Sequence, residues 1–280
     1  MSAIHIDGRT QLFPIIGDPI VNVRSPERFS AALSSRGYNG VCIPMQVPAD
    51  RLPAAMAGLH AVPNIRGILV TMPHKFGAFD HCTTASQTAS LFKVVSVMRR
   101  NDDGSWHGDM LDGLAFVKAQ RDRGAEFSGR NALLVGAGGA GSAIALATLA
   151  AGVARLTIHD SDDARAQRLA LLLSSHFDAR VEGGSADPAG YDLIFNATPL
   201  GMAEGDPLPV EAGRLSPSMF VGDVIAGHGL TPLLKAARDR GCRTAGGDAM
   251  VEAVQEMMLD FMADAATARL VKPSGRCDPA

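Results

Sequence analysis

Residues 131–142 read NALLVGAGGAGS, and their order decides the architecture of the chain's second half. Ala132–Val135 is a short apolar run that reads as a buried strand. Gly136, Gly138 and Gly141 then fit G-x-G-x-x-G, and an alanine-rich stretch that reads as a helix follows directly. The three glycines do different things. One permits the tight turn, one lets the backbone reach a pyrophosphate, and one lets helix and strand pack closely. The helix start adds free N–H groups and the positive end of the helix dipole, both suited to phosphate. The stretch predicts a dinucleotide-binding turn made of Gly136, Ala137, Gly138, Gly139, Ala140 and Gly141, against the plainer reading of a structural glycine turn.

The next apolar run, ARLTIHD, ends in Asp160. A carboxylate at the end of the second strand accepts hydrogen bonds from the adenosine ribose and repels a 2′-phosphate. Ser161, Asp162 and Asp163 follow, with no arginine before Arg165, so the sequence predicts NAD over NADP. The competing reading has Asp160 merely capping the following helix, SDDARAQRLALLLSSH. DLIFNATPLG, MFVGDVIA and CRTAGG read as further strands, and a long helix starts at Asp248 after a glycine pair, Gly246–Gly247, placed as a hinge.

Toward the N-terminus, QLFPIIG, Gly40–Val47 and Ile65–Thr71 read as strands separated by helices over residues 25–36 and 49–58. Ser25 is a candidate N-cap, with Pro26 at the first helical position. Residues 91–98 and 106–108 read as a hairpin around the turn-rich residues 101–104. Strands alternating with helical crossovers imply largely parallel sheets. The expected fold class is α/β in two domains: an N-terminal α/β substrate domain with a mostly parallel sheet, and a Rossmann domain. The expected boundaries are 1–114 for the first and 115–247 for the second. Residues 248–270 are expected to form a helix returning to the first domain, and 271–280 a tail.

A chain of 280 residues suits two such domains. Its net charge of −3 and 5% aromatic content offer neither a basic stripe nor a stacking platform for nucleic acid. The 4 cysteines form no CxxC pair and the 8 histidines no HExxH pair, so reduced thiols and no metal are expected. MSAIHIDGRT is not a signal sequence, and the longest apolar helix, near residues 143–154, is too short to span a bilayer. These features predict a cytoplasmic, soluble protein, a monomer or homodimer, with a small-molecule substrate.

The first half carries its own chemical signal in GILVTMPHK, residues 67–75, where an apolar strand runs into Lys75. Taken alone, Lys75 is best read as a solvated amine. HGDMLDGLAF at 107–116 adds a second feature, Asp112 at a helix start. A lysine beside a carboxylate in a cleft can give or take a proton while hydride moves to or from a nicotinamide. Spacing alone does not pair the two residues.

Over about residues 11–260 the chain resembles the shikimate dehydrogenase family. GDPI…SP at 17–26 resembles its G-N-P-I…S-x-S-P, GILVTMPHK its G-x-N-V-T-x-P-x-K, and GDMLDG at 108–113 its G-x-N-T-D-G. NATPLGM at 196–202 is nearly its N-x-T-P-x-G-M, and GDV…TPLL at 222–234 resembles its D-V-x-Y…T-x-L-L. The resemblance implies that Lys75 and Asp112 are the catalytic pair. It implies that Ser25 and Thr71 lie by the substrate carboxylate, with Ser96 and Gln255 also on the substrate. It places Asn196, Thr198, Pro199, Met202, Val224 and Gly247 near the cofactor.

Departures from the family pattern concentrate on the substrate side. Val23, Leu69, Ser96, Met110, Leu111 and Ala226 stand where the family has other polar groups, and the family glutamine falls on Val254 with Gln255 beside it. A site short of hydrogen-bonding groups no longer rewards a polyhydroxylated ring. The expectation is an NAD-dependent dehydrogenase of a shikimate- or quinate-like cyclic hydroxy acid with a thinned polar cage. The alternative is a silent NAD- or metabolite-sensing protein on the same fold.

Overall fold

The computed structural model describes residues 6–21 and 23–262. Two compact units are present, one comprising residues up to Met110 together with those from Gln255 onward, the other Leu111–Val254.

The first unit is built on a six-stranded sheet of β1 (Gln11–Gly17), β2 (Gly40–Gln46), β3 (Gly67–Val70), β4 (Thr84–Ala85), β5 (Val97–Arg100) and β6 (Trp106–Asp109), in the order β2-β1-β3-β5-β6-β4. β1 runs parallel to β2 and β3, and β4 parallel to β6, while β5 is antiparallel to β3 and β6. Four helices accompany it: α1 (Ser25–Ser35), α2 (Leu52–His60), α3 (Lys75–Phe79) and α4 (Gln87–Phe92). β3 is buried along its whole length, as its unbroken apolar run requires.

Two local expectations fail here for physical reasons. Ser25 is not the N-cap of α1; Arg24 holds that position without a side-chain cap bond, and the proline in the first turn sets the start. Residues 91–96 are not strand. Ser86 accepts a hydrogen bond from the Ala89 amide and starts α4, Lys93 ends it in the left-handed region at φ 54°, and the strand begins only at Val97. The hairpin itself is present, pairing Val97 with Asp109.

Arg100, only 7% exposed, ties this unit together. Its guanidinium donates to the carbonyls of Leu59, His60, Val62, Ile65 and Gly104 and lies over the Trp106 ring, 4.4 Å from its centroid. The cation thereby satisfies carbonyls at the C-terminal end of α2, where the helix dipole is negative.

The second unit comprises α5 (Asp112–Asp122), β7 (Asn131–Val135), α6 (Gly139–Ala150), β8 (Arg155–His159), α7 (Asp163–Ser174), β9 (Arg180–Gly183), β10 (Leu193–Asn196), β11 (Phe220–Asp223), α8 (Pro232–Asp239) and β12 (Arg243–Ala245). Its strands are all parallel, in the order β12-β11-β10-β7-β8-β9. The order reverses beside β7, so the carboxyl ends of β7 and β10 flank the crevice where such sheets bind ligands. α9 (Gly247–Met262) starts among this unit's residues, and its second half, from Gln255, belongs to the first, where Asp260 pairs with Arg36 and Phe261 stacks on His107. Gly247 is no free hinge: its amide donates to the Ile225 carbonyl, and a Cβ there would overlap the Val224 carbonyl. Residues 263–270 of the expected helix, the 271–280 tail and Cys277 lie outside the described residues. Among the described residues no helix is long and apolar enough to cross a membrane, and no cluster of three or more metal-ligating side chains occurs.

Replacing Arg100 with methionine keeps the buried stem and strands the carbonyls it serves. The expected loss is roughly 2–4 kcal/mol, read as a lower urea midpoint; an unchanged midpoint contradicts the clamp.

Candidate active site

The glycine turn is formed as its sequence requires. Gly136 has φ +107°, and a Cβ there would press on the Ala197 backbone at 2.8 Å. A Cβ on Gly141 would overlap the Gly136 carbonyl oxygen, so this glycine lets α6 lie against the turn. Gly138, the N-cap of α6, has nothing within 4 Å of where its Cβ would stand. The three glycines therefore separate into a turn former, a packing residue and one facing open space. An open glycine before a twelve-residue helix is a cradle into which a pyrophosphate fits.

Asp160 is turned inward, only 7% exposed. Its Oδ2 accepts from the Ala137 amide at 2.7 Å; its Oδ1 accepts from the Asp162 amide at 2.9 Å and from Arg165 Nη1 at 3.2 Å. Burial opposes its charge, but the Asp162 and Ala137 amides and the charges of Arg165 and His159 outweigh it and hold the carboxyl below its ordinary range. The cap of α7 is Asp162, which accepts from the Arg165 amide at 3.1 Å. Arg165, half exposed, also reaches Asp162, as does Arg168 at 3.9 Å. The first turns of α7 thus bring Arg165 back to Asp160 and Arg168 to the helix cap at Asp162. Their separation from Asp160 along the chain hides this, although R-x-x-R after an acid-rich strand end was a visible signal.

The NATPLGM loop lies against the glycine turn, since Gly136 faces Ala197 and the Thr198 methyl. Asn196 is wholly buried and holds this loop from within: its Oδ1 accepts from the Thr198 amide at 3.0 Å and the Thr198 hydroxyl at 2.6 Å. Pro199 and Met202 are exposed on the loop, and Val224 is half-buried after β11. Asp112, 6% exposed, opens α5. Gly113 follows it, and a Cβ there would overlap the Ala143 carbonyl, so the first turn of α5 lies directly on α6. The position of Asp112 relative to the glycine turn is thus fixed by backbone contact.

In the first unit the sheet brings Thr71, Lys75 and Ser96 into one neighbourhood. The Thr71 amide donates to the Ile16 carbonyl, the Val95 amide to the Lys75 carbonyl at 2.9 Å, and the Val70 amide to the Ser96 carbonyl at 2.9 Å. Lys75 is half-buried at the start of α3, after a cis Met72–Pro73 peptide. His74 is turned away, 2% exposed, with Nε2 2.6 Å from the Val47 carbonyl. Ser25 is half-buried in the first turn of α1 and Gln255 half-buried on α9. Leu69, Met110 and Leu111, three of the departures from the family pattern, are buried apolar residues.

Residues 15–98 match the model of the shikimate dehydrogenase substrate binding domain. A shikimate dehydrogenase (NADP(+)) of Rubrobacter xylanophilus is 39% identical over 257 residues, covering 90% of each chain. One from Anaeromyxobacter sp. strain Fw109-5, also named for NADP(+), is 34% identical over 91% of each. Among solved structures, a shikimate dehydrogenase in complex with NADP+ superposes with a TM-score of 0.86 at 26% identity, covering 96% of this chain and 98% of the other.

The expected preference for NAD over NADP is corrected by these relatives, which are named for NADP(+). The structure supplies a physical reason: both Asp160 oxygens face the protein's own donors, and Arg165 stands against the carboxylate whose repulsion the expectation relied on.

Gly141→Ala is expected to lower the melting temperature and the affinity for dinucleotide together. Gly138→Ala is expected to leave the melting temperature unchanged and weaken dinucleotide binding by about tenfold, because its Cβ fills only the cradle. Differential scanning fluorimetry with NADPH titration separates the two; equal behaviour of both variants contradicts the assignment.

Proposed function

Because the chain belongs to the shikimate dehydrogenase family, we propose that it is an NADP-dependent dehydrogenase interconverting a secondary alcohol and a ketone on a shikimate-like cyclic hydroxy acid. The observation that carries this reading is the glycine turn, with its open cradle at Gly138, in a chain similar over nine-tenths of its length to such enzymes. The bound dinucleotide supplies hydride when the ketone is reduced and accepts it when the alcohol is oxidised. The unit carrying Lys75 binds the acid, and the unit carrying the glycine turn binds the dinucleotide.

Lys75 supplies a proton to the substrate oxygen as the carbonyl carbon is reduced, and takes it back in the other direction. Asp112 is its carboxylate partner, held in place by the close seating of Gly113. Ser25 and Thr71 bind the substrate carboxylate, with Ser96 and Gln255 on the ring. Arg165 and Arg168 meet the 2′-phosphate of NADP, whose charge they complement. Val23, Leu69 and the Met110–Leu111 pair leave fewer hydrogen-bonding groups to hold ring hydroxyls, so the site discriminates weakly against substrates lacking one.

Lys75→Ala is expected to lower kcat by on the order of a thousandfold while NADPH binding is unchanged. Retained turnover contradicts the acid–base role. Arg165→Ala is expected to raise KM for NADP by about tenfold and leave KM for NAD within about twofold. A parallel rise for both dinucleotides contradicts the 2′-phosphate assignment.

A further inference from the structure

Asp223 ends β11 with no exposed surface, and the donors that meet it are neutral. Asn196 Nδ2 lies 3.0 Å and the Ile225 amide 3.1 Å from its Oδ1, and the Thr231 hydroxyl 2.7 Å from its Oδ2. Burial pushes its carboxyl above the ordinary range, against the pull of these hydrogen bonds. A carboxylate buried among neutral dipoles is a costly way to fill a core; what it offers is a fixed geometry for several chain segments at once.

Each partner is the end of a different segment. Asn196 closes β10 and organises the loop after it: its Nδ2 also reaches the Leu200 carbonyl at 3.4 Å, and the Thr198 hydroxyl it holds accepts from the Leu200 amide at 3.2 Å. Thr231 caps α8, accepting from the Leu234 amide. The Ile225 carbonyl receives the Gly247 amide at the start of α9. The first of these segments lies against Gly136 in the glycine turn.

We infer that Asp223 is a positioning residue for the dinucleotide, setting the Thr198–Met202 loop against the glycine turn through Asn196, while Thr231 fixes its other oxygen. Asn196, wholly buried and bonded on both side-chain atoms, acts through the loop instead of touching the cofactor. This rests on the dinucleotide reading proposed above.

The test is titration of the full-length protein with NADPH, followed by its fluorescence at a temperature well below unfolding, with steady-state kinetics in parallel. Asp223→Ala is expected to raise the NADPH Kd by about tenfold or more, while KM for the acid substrate at saturating NADPH moves less than about twofold. Asp223→Asn keeps an oxygen for Asn196 and Ile225 and is expected to stay within about threefold of the parent protein. Thr231→Val, nearly isosteric, removes one donor and is expected to weaken NADPH binding about threefold or more. A folded Asp223→Ala protein that binds NADPH like the parent overturns the proposal, because a purely structural residue would lower only the melting temperature. If Asp223→Ala does not fold, an unchanged Kd in Thr231→Val overturns it. Failure of the parent protein itself to bind NADPH overturns the dinucleotide reading and this inference with it.

Discussion

Three segments of backbone converge at Gly136, and the second unit is arranged around that convergence. The turn after β7 touches Ala197 after β10 on one side and α6 on the other, with Gly141 packed onto the Gly136 carbonyl. The Ala137 amide is drawn to Asp160 at the end of β8. No side chain fits at either contact, so the glycines are demanded by proximity as much as by dihedral angle. The consequence is chemical: with the Ala137 amide already bonded and the turn held rigid, the start of α6 presents its amides beside the open space at Gly138.

The same use of one polar group to hold several chain segments recurs at other buried sites among the described residues. Arg100 in the first unit answers five carbonyls with one guanidinium, and Asp223 in the second answers three donors with one carboxyl group. In both, an ionisable group stands at the ends of segments that apolar packing alone would leave free to slide. Asp160 belongs to the same class. Its position is that of a ribose-binding acid, but its hydrogen bonds are those of a structural brace.

What could be read from the sequence follows from how local each cause is. The glycine turn was legible because strand, glycines and helix are contiguous, and α/β alternation was legible from the apolar runs. The helix over Gln87–Phe92 was not, since its start depends on one serine in a stretch of mixed composition; β9 carries too little apolar patterning to read as a strand, and the apolar face of α8, Leu233, Leu234 and Ala237, spans only eight residues. The position of Asp160 was illegible for a different reason. Its type and place in the chain are compatible with facing either a ribose or the turn, and only the fold shows which amides it meets. Asp223 likewise sits in a motif visible at 222–234, but nothing local reveals that Asn196, 27 residues earlier, is its partner. Lys75 and Asp112 remain joined by family resemblance and by the proposal built on it.

On the proposed function, the chain moves hydride between NADP and a shikimate-like acid although Leu69, Met110 and Leu111 are buried apolar residues. An initial-rate assay following nicotinamide absorbance, with shikimate and NADP supplied to the purified protein, tests it most directly. Saturable NADPH formation dependent on shikimate is the predicted result. NADPH binding without turnover of shikimate, quinate or their deoxygenated analogues would contradict it.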